Sequence, residues 1–180
     1  MVVALLTLAF AGAYPDMPLR GHVGKPAPAI AVRDTNGARV DVRGYRGRWV
    51  YLDFFASWCA PCNAEMPGLV RDARAAGPRL AVIAIDERER AERARSFVRR
   101  YGAPFTIALD GPDLRATDWH KYVYGANGPF GAAEEAFGTN ALPAGVLIDP
   151  RGVVRAEWGG YDGVDRLGAA LHRFGVLAGG

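Results

Sequence analysis

Apolar residues along this chain fall into short blocks of strand type and longer stretches of helical period. Residues 49–56, Trp-Val-Tyr-Leu-Asp-Phe-Phe-Ala, form a nearly unbroken apolar run, the pattern of a strand covered on both faces. Behind it a helical pattern runs to about residue 76 and is closed by Gly77-Pro78, with Pro67 inside it as an expected kink. Residues 80–85 read as a second buried strand. From residue 87 to 101, Ala94, Phe97, Val98 and Tyr101 recur at helical spacing among charges. Asp86/Arg90 and Glu89/Arg93 are spaced for pairing on one helix face, so this charged run reads as a solvated surface. Residues 105–109 read as a third strand.

Two hairpins flank this unit. Residues 29–32 and 38–42 enclose Thr35-Asn36-Gly37, an Asn-Gly turn signal. Residues 145–149 and 153–158 are joined through Pro150-Arg151-Gly152, after which Val164, Leu167, Leu171 and Phe174 mark a closing amphipathic helix. The order predicts an α/β fold: one central mixed sheet with helices on both faces. Residues 111–142 fit this order poorly. They hold Trp119, Tyr122 and Tyr124, a Gly-rich stretch, and a short helical piece at about 132–137. A connection of that length is a functional insertion or a loosely ordered loop, and its aromatics argue against simple disorder.

The first ten residues are apolar and meet Ala11-Gly12-Ala13. The length and the small-residue ending suit a signal peptide, although no Lys or Arg precedes the run; a buried N-terminal strand or helix is the alternative. Residues 14–28 carry Pro15, Pro18, Pro26 and Pro28 and read as an extended linker. The organisation expected is a leader or N-terminal anchor over 1–20 and one domain over 21–176. The 180 residues suffice for one substantial core. A net charge of +3, nearly all its positive part Arg and mixed with acids, gives no basic stripe, so no nucleic-acid partner is expected.

The chemistry concentrates at Trp58-Cys59-Ala60-Pro61-Cys62, which holds the only two cysteines. A strand running into CxxC and then a helix suits two-electron thiol exchange. Unpaired N–H groups and the helix dipole favour a thiolate at Cys59, and Cys62 is close enough to resolve a mixed disulfide. A zinc site would need two further ligands, and His22, His120 and His172 are too scattered to supply them. A purely structural disulfide would contribute little across so short a loop. No metal and no cofactor other than the Cys59–Cys62 pair is therefore expected.

The hairpin with Asn-Gly, the run from Asp53 to Cys62, Glu65-Met66-Pro67, and Leu142-Pro143 ahead of Val146-Leu147-Ile148-Asp149 together resemble the thioredoxin superfamily, specifically its exported TlpA/ResA-like branch. The resemblance spans about residues 23–174. It implies a thioredoxin fold with an N-terminal hairpin and an insertion before a cis-proline. Cys59 would be the attacking thiol, Cys62 the resolving one, and Trp58 a shield and contact surface beside Pro61. Pro143 would be the cis-proline, with the Leu142 backbone beside it available to an extended peptide; an ordinary trans proline is the alternative. Asp53, alone among apolar neighbours, would be buried, raised in pKa and able to exchange a proton with Cys62, or else a hydrogen-bonded structural acid. Glu65, one turn past Cys62, would tune thiol ionisation, or else be an exposed helix glutamate. Ala144-Gly145 departs from the residues usual in the family.

The function this implies is an extracytoplasmic, periplasmic or otherwise exported oxidoreductase. It would reduce protein disulfides, with cytochrome c maturation as one familiar task of the branch and a membrane thiol relay as electron donor. Ala60-Pro61 places no histidine between the cysteines, which suggests a potential nearer ~−270 mV than ~−120 mV. A thiol peroxidase, and a non-catalytic binding module with a permanent disulfide, are the alternatives. Trp119, Tyr122 and Tyr124 are expected in a partner-specific rim.

Overall fold

The computed structural model describes residue 19 and residues 21–30, 32–87, 89–110, 131–139 and 141–177. Residues 1–18 and 20 of the leader, and the Trp119, Tyr122 and Tyr124 rim, lie outside the described residues. Among the described residues seven strands form one sheet: β1 (Val32–Asp34), β2 (Arg39–Val40), β3 (Trp49–Phe55), β4 (Leu80–Glu87), β5 (Thr106–Asp110), β6 (Ala144–Ile148) and β7 (Val154–Gly159). Their spatial order is β2-β1-β5-β4-β3-β6-β7. The β3–β4 and β4–β5 pairs are parallel and the others antiparallel, so the sheet is mixed. The described helices are α1 (Ala60–Ala76), α2 (Ala91–Arg100), α3 (Ala132–Phe137) and α4 (Arg166–Arg173).

Strand alternation divides the core in two. Tyr51 and Phe55 point to the face where Met66 and Leu69 of α1, Phe97 and Val98 of α2, and Leu167 and Leu171 of α4 pack. Val50, Leu52 and Phe54 point the other way, against Ala133 and Phe137 of α3 and Leu19 and Ile30 of the N-terminal segment. Helices thus cover both faces. The consecutive parallel steps β3-α1-β4 and β4-α2-β5 move the same way along the sheet, so right-handed crossovers put α1 and α2 on one side. The return from β5 to β6 puts α3 on the other.

Several boundaries differ from the sequence expectation. Strand β1 starts at Val32, and the residues after β2 form a 3-10 turn (Val42–Tyr45) capped by Asp41. Asp34 closes the hairpin turn, its Oδ1 accepting from the N–H groups of Asn36 and Ala38 at 2.8 Å, while Gly37 takes φ +87°, a region that favours glycine. The described end of the segment read as a linker is hydrogen-bonded: Gly24 N donates to Val154 O at 2.8 Å and Val154 N donates to Lys25 O at 3.0 Å. The charged run is the main correction. Strand β4 continues through Glu87, and α2 begins only at Ala91, so Asp86 is a fully buried strand residue. Pairing with β3 as far as Phe55↔Asp86 outweighs the local helical spacing. Val164 precedes α4 and is exposed.

Helix α1 carries its own irregularity. Pro67 has no N–H to give the carbonyl four residues back, at Asn63. The Tyr101 hydroxyl at the end of α2 reaches that carbonyl at 3.3 Å and the Asn63 side-chain oxygen at 3.0 Å. Phe97 stacks on Phe55 at 5.1 Å, so α2 is packed directly against the strand that leads into the cysteines.

Candidate active site

Strand β3 ends at Phe55, three residues form a turn, and Cys59 is the N-cap of α1 with extended backbone. Pro61 lies in the first turn, where its missing N–H costs the helix nothing. Cys59 and Cys62 are joined in a disulfide, with Cα atoms 5.3 Å apart. Cys62 N points at Cys59 Sγ at 3.1 Å, so the sulfur lies where the helix's unpaired N–H groups converge. That location stabilises negative charge once the bond is reduced. The Asn63 side chain closes the turn by donating to Cys59 O at 2.8 Å.

Register brings the remaining residues here. Ala144, the first residue of β6, lies opposite Phe54, so Pro143 comes alongside the end of β3. The Leu142–Pro143 bond is cis. Pro143 O accepts from Gly160 N at 2.7 Å, which commits that carbonyl to the fold and leaves Leu142 as the neighbouring backbone. Trp58 is 69% exposed and precedes Cys59 directly, so it contributes surface next to the buried cysteines. Both cysteines are buried in the core with Tyr51 and Phe55, with Leu142 and Trp158 packed against it.

Asp53 shares the face of Tyr51 and Phe55, beneath α1, and is 2% exposed. Burial first, and then the charge of Glu65, push its carboxyl well above the ordinary range. Glu65 is half-buried. Burial raises it to about 7, opposed by the Tyr51 hydroxyl; Asp165 raises it further and Arg166 lowers it. Tyr51 Oη faces Glu65 without closing a hydrogen bond of ordinary length. The structure therefore joins Asp53 and Glu65 into an acid pair against Tyr51. The site thus combines a dithiol at a helix start with two carboxyls, Asp53 and Glu65, that burial raises.

Tyr51, Trp158, Asn63 and Gly145 were not singled out as site residues by the sequence. Trp158 stacks on Tyr51 at 5.7 Å, and Gly145 lies between Asp53 and Trp158 in register. A Cβ on Gly145 would fall 2.7 and 2.8 Å from the Trp158 ring, and closer still to Tyr51 Oη. Glycine at position 145 thus has a steric reason: two aromatic side chains occupy the space a Cβ would need.

Against known proteins, the model of the AhpC/TSA family matches residues 23–157. The thiol-disulfide oxidoreductase ResA of Bacillus thuringiensis (strain Al Hakam) is 30% identical over 137 residues, covering 74% of this chain and 67% of that protein. A putative protein disulfide isomerase from Bacteroides thetaiotaomicron superposes with a TM-score of 0.64 at 24% identity, covering 88% of this chain and 91% of that one. A putative thiol:disulfide interchange protein DsbE from Chlorobium tepidum does so with a TM-score of 0.58 at 25% identity, covering 87% and 98%. The architecture is the thioredoxin fold.

Two expectations follow from the acid pair and its roof. Glu65 binds its proton more tightly folded (about 7) than at its ordinary value of 4.5. Its contribution is therefore fully present below that lower value and is lost as pH rises through the upper one. In the oxidised protein, urea unfolding from about pH 5 to about pH 8 is expected to show wild type losing on the order of 2 kcal/mol relative to Glu65→Gln. Equal pH slopes for the two proteins would remove the linkage. Gly145→Ala is expected to destabilise by about 1–3 kcal/mol through overpacking, read by the same unfolding curves at fixed pH.

Proposed function

The chain belongs to the AhpC/TSA family and to its ResA-like thiol-disulfide oxidoreductases, and from that membership we propose that it works outside the cytoplasm, reducing disulfides in target proteins. The observation that carries the cysteine assignment is Cys59 as N-cap of α1, with Cys62 N on its sulfur at 3.1 Å.

In the proposed cycle the reduced Cys59 thiolate attacks one sulfur of a target disulfide. That S–S bond breaks, one target thiolate leaves, and a mixed disulfide forms. Cys62 then gives up its proton and attacks Cys59 Sγ. The Cys59–Cys62 bond forms and the second target thiolate leaves. Two electrons pass from enzyme to target, and a second dithiol, in our reading a membrane thiol relay, returns them. Asp53, which burial raises well above the ordinary carboxylate range, is the acid we assign to exchange a proton with Cys62, and Glu65, raised to about 7, tunes thiol ionisation near neutral pH.

Trp58, Pro61 and Leu142 would form the surface that receives an extended peptide, beside Pro143. The position of Leu142 next to a committed Pro143 carbonyl supports that reading. The apolar start of the chain supports a leader or anchor within residues 1–20 ahead of a domain over 21–176, to whose core Leu19 also contributes. Among the described residues, no helix is long and apolar enough to cross a membrane. Cytochrome c maturation is the pathway we put first for the native target. A dithiol housed at one helix start suits exchange better than the lone peroxidatic thiol of a peroxidase.

Reduced wild-type protein is expected to reduce insulin disulfides without consuming peroxide, and Cys59→Ser to abolish that activity. Cys62→Ser, expressed in the native host, is expected to accumulate dithiothreitol-sensitive adducts on Cys59, identifiable by mass spectrometry. Intact insulin together with an adduct-free Cys62→Ser variant would defeat the proposal.

A further inference from the structure

The turn that carries Cys59 is gripped from the side opposite its helix. Asp86 pairs with Phe55 at the ends of β4 and β3, so the residues that follow the two strands run side by side. There Glu89, just before α2, turns its carboxyl group onto Ser57. One oxygen accepts from Ser57 N at 2.5 Å and the other from Ser57 Oγ at 2.7 Å. The Glu89 side chain is only 5% exposed, with Arg93 at 3.8 Å. Its own N–H donates to Asp86 Oδ1 at 3.0 Å. Burial first, and then the Glu89 carboxyl, push Asp86 up to about 9, so Asp86 keeps its proton and adds no competing charge.

A carboxyl removed from water this far is costly unless its oxygens are used, and both are used on one residue. Ser57 precedes Cys59 by two positions. On the other side Asn63 Nδ2 lies 3.4 Å from Ser57 O and 2.8 Å from Cys59 O. The turn therefore has two holds: Asn63 ties it to α1, and Glu89 ties it to the end of β4.

We propose that Glu89 is a positioning residue for thiol exchange: by holding Ser57 it fixes the Trp58-Cys59 turn so that the Cys59 sulfur stays at the N-terminus of α1. This rests on Cys59 being the attacking thiol. Loss of the grip lets the turn drift from the helix N–H groups, and the thiolate loses part of its stabilisation.

The test uses the full chain in a Cys62→Ser background, so that iodoacetamide reads Cys59 alone across a pH series. Glu89→Ala is expected to raise the ionisation midpoint of Cys59 by about one pH unit and to slow alkylation near neutrality about tenfold, the effect of losing bonds to a buried carboxyl. Glu89→Gln retains a carbonyl acceptor for Ser57 N and is expected to stay within about threefold of the parent. Ser57→Ala, which removes one of the two bonds, is expected to slow alkylation about threefold. An unchanged midpoint in folded Glu89→Ala overturns the proposal. So does an equal shift in the Ala and Gln variants, which would mark an effect of charge rather than of grip. Should Glu89→Ala not fold, unchanged alkylation in Ser57→Ala overturns it. Failure of wild type to reduce insulin would sink the functional reading separately, because alkylation of Cys59 needs no target disulfide.

Discussion

The constraint on which this structure turns is the placement of β3 between β4 and β6. Strand β3 is hydrogen-bonded on both edges, parallel to β4 and antiparallel to β6, from Val50 to Phe54. That double pairing fixes its register, because a slip of one residue would carry Tyr51, Asp53 and Phe55 to the opposite face. Three things are set at once. The turn into α1 leaves the sheet at one point, Pro143 arrives beside it from β6, and Glu89 arrives beside it from β4. None of these residues is near another in sequence, and the sheet alone brings them together.

At Asp53 of β3 the fold accepts a cost. Asp53 is buried with a second acid, Glu65, close by, and burial disfavours the charge of both. Elsewhere on that face the strand is filled by Tyr51 and Phe55, as a core strand should be. An acid pair where an apolar side chain would pack without penalty is the kind of local inconsistency that marks functional sites. Tyr51 and Trp158 wall it off, and Gly145 makes room for them. The site combines a thiol pair at a helix start with a buried Asp53 and a half-buried Glu65, beside packed aromatics.

Much of this was legible along the chain. The apolar run before Cys59 announced a central strand, because covered strands have no polar alternation to disguise them. The Asn36-Gly37 turn and the Pro150-Gly152 turn located both hairpins. The charges after Ile85 mislead for an identifiable reason. Asp86, Glu89, Arg90 and Arg93 have the spacing of a helix face, but strand pairing holds Asp86 and Glu87 until α2 starts at Ala91. That spacing points Glu89 to solvent, whereas its side chain is buried on Ser57. Its pairing with Arg93 was anticipated and does exist at 3.8 Å.

By itself the sequence determined the fold class, the strand that leads to the cysteines, and the dithiol chemistry, since these rest on local pattern and residue type within a few positions. Only the tertiary structure decided which acids share a proton environment, why position 145 is glycine, and what grips the turn before Cys59. Those depend on register across the sheet, which joins residues from 51 to 158 into one site and leaves no periodic signal in the chain.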